Sequence, residues 1–173
     1  SCILECQGYQ RGVELGVFRG DFSRELLSCW RSAKTFVMVD LWQKIDNYQD
    51  AWNTQTLADD EFIHESLDNV DALRRAHGTD IIICRNFTLE CADNFPDNYF
   101  DFIYLDAQHD FKSVASDLTA WWPKLRPGGI FSGHDYVTQD DGPAQLGSDW
   151  TTAPDGSIDH TGLALKGAVD AFA

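Results

Sequence analysis

Apolar runs of strand length alternate with stretches of helical period along most of the sequence. That order implies right-handed βαβ crossovers and a parallel sheet with helices on both faces. Strands are predicted over Gly12 to Val17, Thr35 to Asp40 (TFVMVD), Asp80 to Cys84, Phe100 to Leu105 and Ile130 to His134. Helices are predicted over about Ser23 to Trp30, Leu57 to His77, Lys112 to Trp122 and the stretch after Leu163. Gly78 terminates the second of these, while Pro123 and Arg126-Pro127-Gly128-Gly129 end the third and turn the chain. The expected fold class is therefore α/β, doubly wound and Rossmann-like. Two segments fit neither period. LWQKIDNYQDAWNTQ, after the second strand, reads as a loop or short helix over a pocket, and the Gly-, Pro- and Asp-rich stretch from Tyr136 to about Thr161 is a loop long enough to be functional or disordered.

A chain of 173 residues suits one domain, 1–173, and can bury roughly 70% of its unfolded surface. Hydrophobic residues at 43% and charged residues at 24% match a folded globular protein. The formal net charge of −15 marks an acidic protein whose field repels polyanions, so nucleic acid and anionic membrane are not expected partners. No apolar stretch reaches the roughly 18 residues that span a bilayer, and no signal segment opens the chain. Five cysteines (Cys2, Cys6, Cys29, Cys84, Cys91) form an odd set without a CxxC pair, which argues against a disulfide framework or zinc ribbon. Cys84 reads as a small core hydrophobe. A reducing compartment, the cytoplasm, is the expectation. The sequon Asn86-Phe87-Thr88 would permit glycosylation only in a secreted chain, and Asn86 is placed below in a pocket that a glycan could not enter.

In an open parallel sheet the ligand sits beyond the carboxyl ends of the strands, near the switch in strand order. Those ends carry Glu14-Leu15-Gly16, Asp40, Asn86, Asp106 and His134-Asp135. Glu14 to Gly20 has the form E-x-G-x-x-x-G, in which small residues let backbone pass close to a ligand at a helix start. A nicotinamide-dependent oxidoreductase would use G-x-G-x-x-G to seat a pyrophosphate, which an acid at Glu14 would repel. A ligand bearing a sulfonium and an ammonium tolerates that acid. Asp40 stands where a carboxylate can accept bonds from vicinal ribose hydroxyls, with Leu41 and Trp42 available to pack on a purine.

Four blocks, VELGVFRGDFSRELL, FVMVDLW, FDFIYLDAQHDFKSVASDL and KLRPGGIFSGHDY, in this order, resemble the class I S-adenosylmethionine-dependent methyltransferases, nearest to the small-molecule O-methyltransferase group. The resemblance covers about Arg11 to Tyr136. It implies O-methylation of a small hydroxylated acceptor, with S-adenosyl-L-methionine held by Glu14, Gly16, Val17 and Gly20 on its methionine side. Asp40 would hold the ribose, Leu41 would pack on the purine, Asn86 and Phe87 would lie near the adenine, and Asp106 would stand beside them.

Asp106, His134 and Asp135 are of the types that can converge on a divalent cation, carboxylates suiting Mg²⁺ and imidazole the softer metals. The resemblance implies the same arrangement for Mg²⁺ or Mn²⁺, although relatives carry Asp where this chain has His134. His109 corresponds to a lysine general base in the catechol-type enzymes, so His109 and Asp106 are the candidate catalytic pair; a helix cap or cofactor contact is the competing role for His109. Trp42, Tyr48, Trp52 and Trp150 are candidates for an aromatic acceptor pocket. Trp121-Trp122 are expected to pack on the sheet with Asp117 facing away, and His64, His77 and His160 to be exposed.

The resemblance also implies a helix and two further strands after the fifth strand, whereas Leu163 to Ala173 supplies only the helix. The expectation is a domain truncated at its C-terminus, its edge strands missing and an unpaired sheet edge left open to self-association as a homo-oligomer. That ending favours an alternative reading as a non-catalytic, methyltransferase-like domain acting as a binding or assembly part. The number of charges gathered in one cleft favours activity.

Overall fold

The computed structural model describes residues 2–51, 53–54 and 60–173. Its centre is a five-stranded sheet in which every pairing is parallel: β1 (Arg11–Leu15), β2 (Thr35–Asp40), β3 (Asp80–Arg85), β4 (Phe100–Leu105) and β5 (Leu125–Gly133), in the order β3-β2-β1-β4-β5. Helices α1 (Ile3–Cys6), α2 (Asp21–Cys29), α3 (Asp60–Ala76), α4 (Thr88–Ala92), α5 (Phe111–Trp121) and α6 (Ala164–Phe172) accompany it.

The pleat sorts the strand side chains onto two cores. Val13, Leu15, Val37, Val39, Ile103 and Leu105 face α4, α5 and α6, where Val114, Leu118, Trp121 and Leu165 meet them. Phe36, Met38 and Phe102 face the other way, onto Leu4, Leu27, Trp30 and Val70 of the α1–α3 layer. Burial on both faces is why the strands read as near-continuous apolar runs.

Several expectations are corrected. β1 ends at Leu15 because Gly16 takes φ +85°, and α2 starts earlier, at Asp21, capped by Gly20 at φ +76°. Arg126-Pro127-Gly128-Gly129 is not a turn before the fifth strand but lies inside β5. The register jumps there, from Phe100 opposite Leu125 to Phe102 opposite Ile130, and Gly128 at φ +78° absorbs the bulge. Two helices escape the periodicity because they are too short to show one, α1 and α4. The reading of a helix from Leu57 holds from Asp60 onward; residues 57–59, like Trp52, lie outside the described residues.

Cys84 is not a free core thiol. It forms a disulfide with Cys91, tying the end of β3 to α4. Such bonds persist in oxidising compartments, so this pairing weighs against the expected reducing environment. Among the described residues no helix is long and apolar enough to cross a membrane. Trp121 is fully buried as expected, but Trp122 is 52% exposed and leans on Phe131 and Phe172. Asp117 does not face away. It is buried and accepts a hydrogen bond from the Thr88 hydroxyl, and burial pushes its carboxyl up to about 7. His64 and His160 are exposed, whereas His77 is half-buried, its ring between Leu27 O at 3.3 Å and Thr79 N at 3.2 Å.

Candidate active site

Strand order reverses between β1 and β4, so their carboxyl ends diverge into a crevice. Leu15 O accepts from Asp106 N at 2.8 Å and Val39 O accepts from Gly16 N at 2.9 Å, which brings the three strand ends together. Only glycine fits at position 16. Besides its positive φ, a Cβ there would stand 2.0 Å from Asp106 O.

Above this rim opens a cavity of about 400 Å³. Glu14, Gly16, Val17, Asp40, Leu41, Asn86, Phe87, Asp106, His109, His134 and Asp135 all line it. Of the expected cofactor residues Gly20 does not; it shapes the start of α2 from behind. Glu14 leaves β1 on the α2 side, is 2% exposed, and accepts a hydrogen bond from Ser23 Oγ. Desolvation raises its carboxyl to about 8, against the lowering effect of Ser23.

Asp40 has a role that spacing did not show. Its Oδ2 accepts from Val17 N and Phe18 N, both at 2.8 Å, and Oδ1 accepts from Trp42 N at 2.7 Å. The carboxylate therefore clamps the loop after β1. It keeps acceptor capacity on Oδ1 for one more donor, such as a ribose hydroxyl. Trp42 lies beneath the loop rather than in the cavity. It is 1% exposed, and its indole N–H donates to Phe18 O at 2.8 Å. Leu41 and the half-exposed Phe87 do line the cavity.

On the opposite side His109 is buried among carboxylates. Nε2 lies 3.4 Å from Asp106 Oδ1 and 3.3 Å from Asp135 Oδ2, and Nδ1 lies 3.7 Å from Asp50 Oδ2. Trp150 stacks on the ring at 4.3 Å and donates its indole N–H to Asp50 at 2.6 Å, while Tyr48 Oη accepts from His109 N at 2.7 Å. Burial by itself would lower the imidazole pKa, but the nearby carboxylates of Asp106, Asp135 and Asp50 outweigh it and lift the ring well above 6.5. These carboxylates favour the protonated form of the ring. Of the three described aromatic candidates, Trp42, Tyr48 and Trp150, only Tyr48 lines the cavity. Trp150 is 6% exposed and acts through His109, and Trp52 lies outside the described residues.

Asp106, His134 and Asp135 do come together. One ligand atom from each lies within 4.8 Å of the others, and His134 Nδ1 is 2.9 Å from Asp135 Oδ1. Two carboxylates and an imidazole at the cavity wall fit a divalent cation in donor type and spacing. Asp50, Asn53 and Phe22 also line the cavity and were not expected. Asn53 fastens the loop by bonding Ile45 N, Ile45 O and Tyr48 O, and Phe22 stacks on Tyr104 at 3.8 Å. Asp50 meets Trp150 across a hundred residues of sequence, so no local pattern signals it.

Strand order 3-2-1-4-5, an acid ending β1 and a second acid ending β2 over one cavity define the methyltransferase-type Rossmann-like class. The chain belongs to the methyltransferase domain family, whose match spans residues 13–136. No curated protein matches it. Among solved structures it is similar in fold to a protein from Corynebacterium glutamicum, with 13% identity, TM-score 0.59 and coverage of 95% of this chain and 62% of that one. It is also similar to the Burkholderia thailandensis 1,6-didemethyltoxoflavin-N1-methyltransferase, which holds its substrate and S-adenosylhomocysteine, with 17% identity, TM-score 0.50, and 82% and 51% coverage. Spermidine synthase from Thermotoga maritima gives 16% identity, TM-score 0.50, and 81% and 42% coverage. The chain thus spans 62% or less of the length of each of these structures.

Proposed function

We propose that this domain transfers a methyl group from S-adenosylmethionine to a hydroxyl of a small acceptor. The observation that carries the reading is Glu14, a buried carboxylate on the cavity wall beside Gly16, where a dinucleotide fold would need to receive phosphate. When bound, S-adenosylmethionine supplies an electrophilic methyl on a sulfonium sulfur. Glu14 and the Gly16–Val17 backbone would face its amino-acid end, Asp40 its ribose, and Leu41, Asn86 and Phe87 its adenine. Methyl transfer is an in-line displacement, so the protein mainly aligns the partners and excludes water.

Asp106 and His109 would carry the proton step. The Asp106 Oδ1–His109 Nε2 contact at 3.4 Å would let the two share the proton released by the acceptor hydroxyl. Asp106, His134 and Asp135 would hold a divalent cation, which would supply Lewis-acid polarisation of the acceptor oxygen.

Calorimetry tests the donor assignment. S-adenosylhomocysteine should bind and NAD should not, and Glu14→Ala with Asp40→Ala should abolish the heat. Unchanged affinity in the double variant would defeat the reading.

A further inference from the structure

The cavity has a sharply one-sided charge. Six carboxylates line it, those of Glu14, Asp21, Asp40, Asp50, Asp106 and Asp135, and no Lys or Arg is among the described residues that do. Residues 1, 52 and 55–59, outside the described set, contain no Lys or Arg either. The cations nearest in sequence to its wall are already paired, Arg24 with one of the six acids, or stand outside. Arg19 pairs with Glu65, Arg24 with Asp21, and Arg85 donates to Leu41 O and Trp42 O. Lys44 is exposed, between the lining residues Gln43 and Ile45.

Of the six, Glu14 is held protonated by burial and Asp21 is paired with Arg24. The other four face the protonated His109, one positive charge from a bound donor (sulfonium, ammonium and carboxylate) and two from a metal, so the loaded cavity is at most neutral and keeps no spare side-chain cation for an anionic acceptor. An anionic group taken into a desolvated cleft with no free side-chain cation to meet it is strongly disfavoured, whereas the aromatic residues Phe18, Phe22 and Tyr48 in the lining suit neutral or cationic groups. The charge of the whole chain, −15, acts in the same direction on the encounter.

We propose that the acceptor carries no anionic group: it is a neutral or ammonium-bearing hydroxylated molecule, and phosphorylated, carboxylated and coenzyme-A-linked acceptors are excluded by the carboxylate-lined wall. This rests on the methyltransferase reading above, and it names the substrate class for the same cavity. The exclusion works by building repulsion against the wrong partner, a means of specificity separate from any contact to the right one.

Three catechols of matched size test it: one with an ammonium side chain, one with a neutral alkyl side chain and one with a carboxylate side chain. Each is titrated into protein saturated with S-adenosylhomocysteine in magnesium-containing buffer. The neutral and ammonium probes should bind, the carboxylate probe should bind at least about tenfold more weakly, and the gap should shrink between roughly 0.02 M and 0.5 M salt. Gln43→Lys, which places a cation at an exposed wall position, should tighten the carboxylate probe relative to the neutral one. Absence of any heat with S-adenosylhomocysteine defeats the methyltransferase reading itself. Heat with S-adenosylhomocysteine, followed by equal binding of carboxylate and neutral probes or by no binding of any catechol, overturns the charge inference alone.

Discussion

The Asp40 carboxylate and the Val17 backbone N–H meet at 2.8 Å, and the same oxygen takes the Phe18 N–H at the same distance. The acid at the end of β2 therefore holds the loop at the end of β1, which forms part of the cavity wall. Asp40→Asn substitutes an amide that can accept at only one of its two ends. It is expected to cost about 1–3 kcal/mol in urea denaturation and to weaken S-adenosylhomocysteine binding in parallel. An unchanged denaturation midpoint would show that the clamp contributes nothing.

Glu14 titrates at about 8 in the fold against 4.5 in the open chain, because it is desolvated. A raised carboxyl pKa means the folded state favours the protonated form. Stability is thus fully present below pH 4.5, declines as pH rises, and has lost this contribution once pH passes about 8. Glu14→Gln removes the ionisation, so its melting temperature should exceed that of the parent above pH 8 and match it below pH 4.5. Donor-site ligands bring an ammonium that favours the ionised form, so wild-type affinity for S-adenosylhomocysteine should tighten from pH 6.5 toward pH 8. A parent and variant with parallel pH profiles would contradict the assignment.

Gly16→Ala must place a methyl against Asp106 O while holding φ at +85°. Backbone at both strand ends has to give, at about 3 kcal/mol or more. Chemical denaturation gives the cost directly, and loss of donor binding should accompany it because the displaced atoms form the cavity floor.

The Cys84–Cys91 disulfide closes a loop of seven-residue separation that contains the cavity residues Asn86, Phe87 and Thr88. Chain-entropy reasoning for so short a loop gives about 2–3 kcal/mol. The Cys84→Ser, Cys91→Ser protein should be less stable by that order, and a reducing agent should lower the stability of the parent but not of the double variant. Intact mass with and without reduction and thiol alkylation checks the bond itself.

His109 should remain protonated well past neutrality, since Asp106, Asp135 and Asp50 surround it. Nitrogen-detected NMR of the imidazole at pH 8 is expected to show both nitrogens protonated. Asp135→Asn should bring the titration down toward neutral, and a ring found neutral at pH 7 in the parent would restore it to the role of a base.

Sequence by itself determined the sheet. Val37, Val39, Phe36 and Met38 alternate across a strand buried on both faces, so the run TFVMVD announces β2, and the strand ends then point to Glu14, Asp40, Asp106 and His134-Asp135 without any coordinates. Local signals of this kind survive because they come from the period of one element.

Tertiary structure alone decided what those groups do. The N–H groups on Asp40, the carboxylates that keep His109 charged, the partnering of Asp50 with Trp150 and of Asp117 with Thr88, and the Cys84–Cys91 bond all arise where loops and helices from separate units meet. Burial and the proximity of other charges set the protonation of a side chain, and both are properties of the assembled cleft. A one-dimensional pattern can name a carboxylate at a strand end, but only packing determines whether it faces water, a backbone amide or another acid.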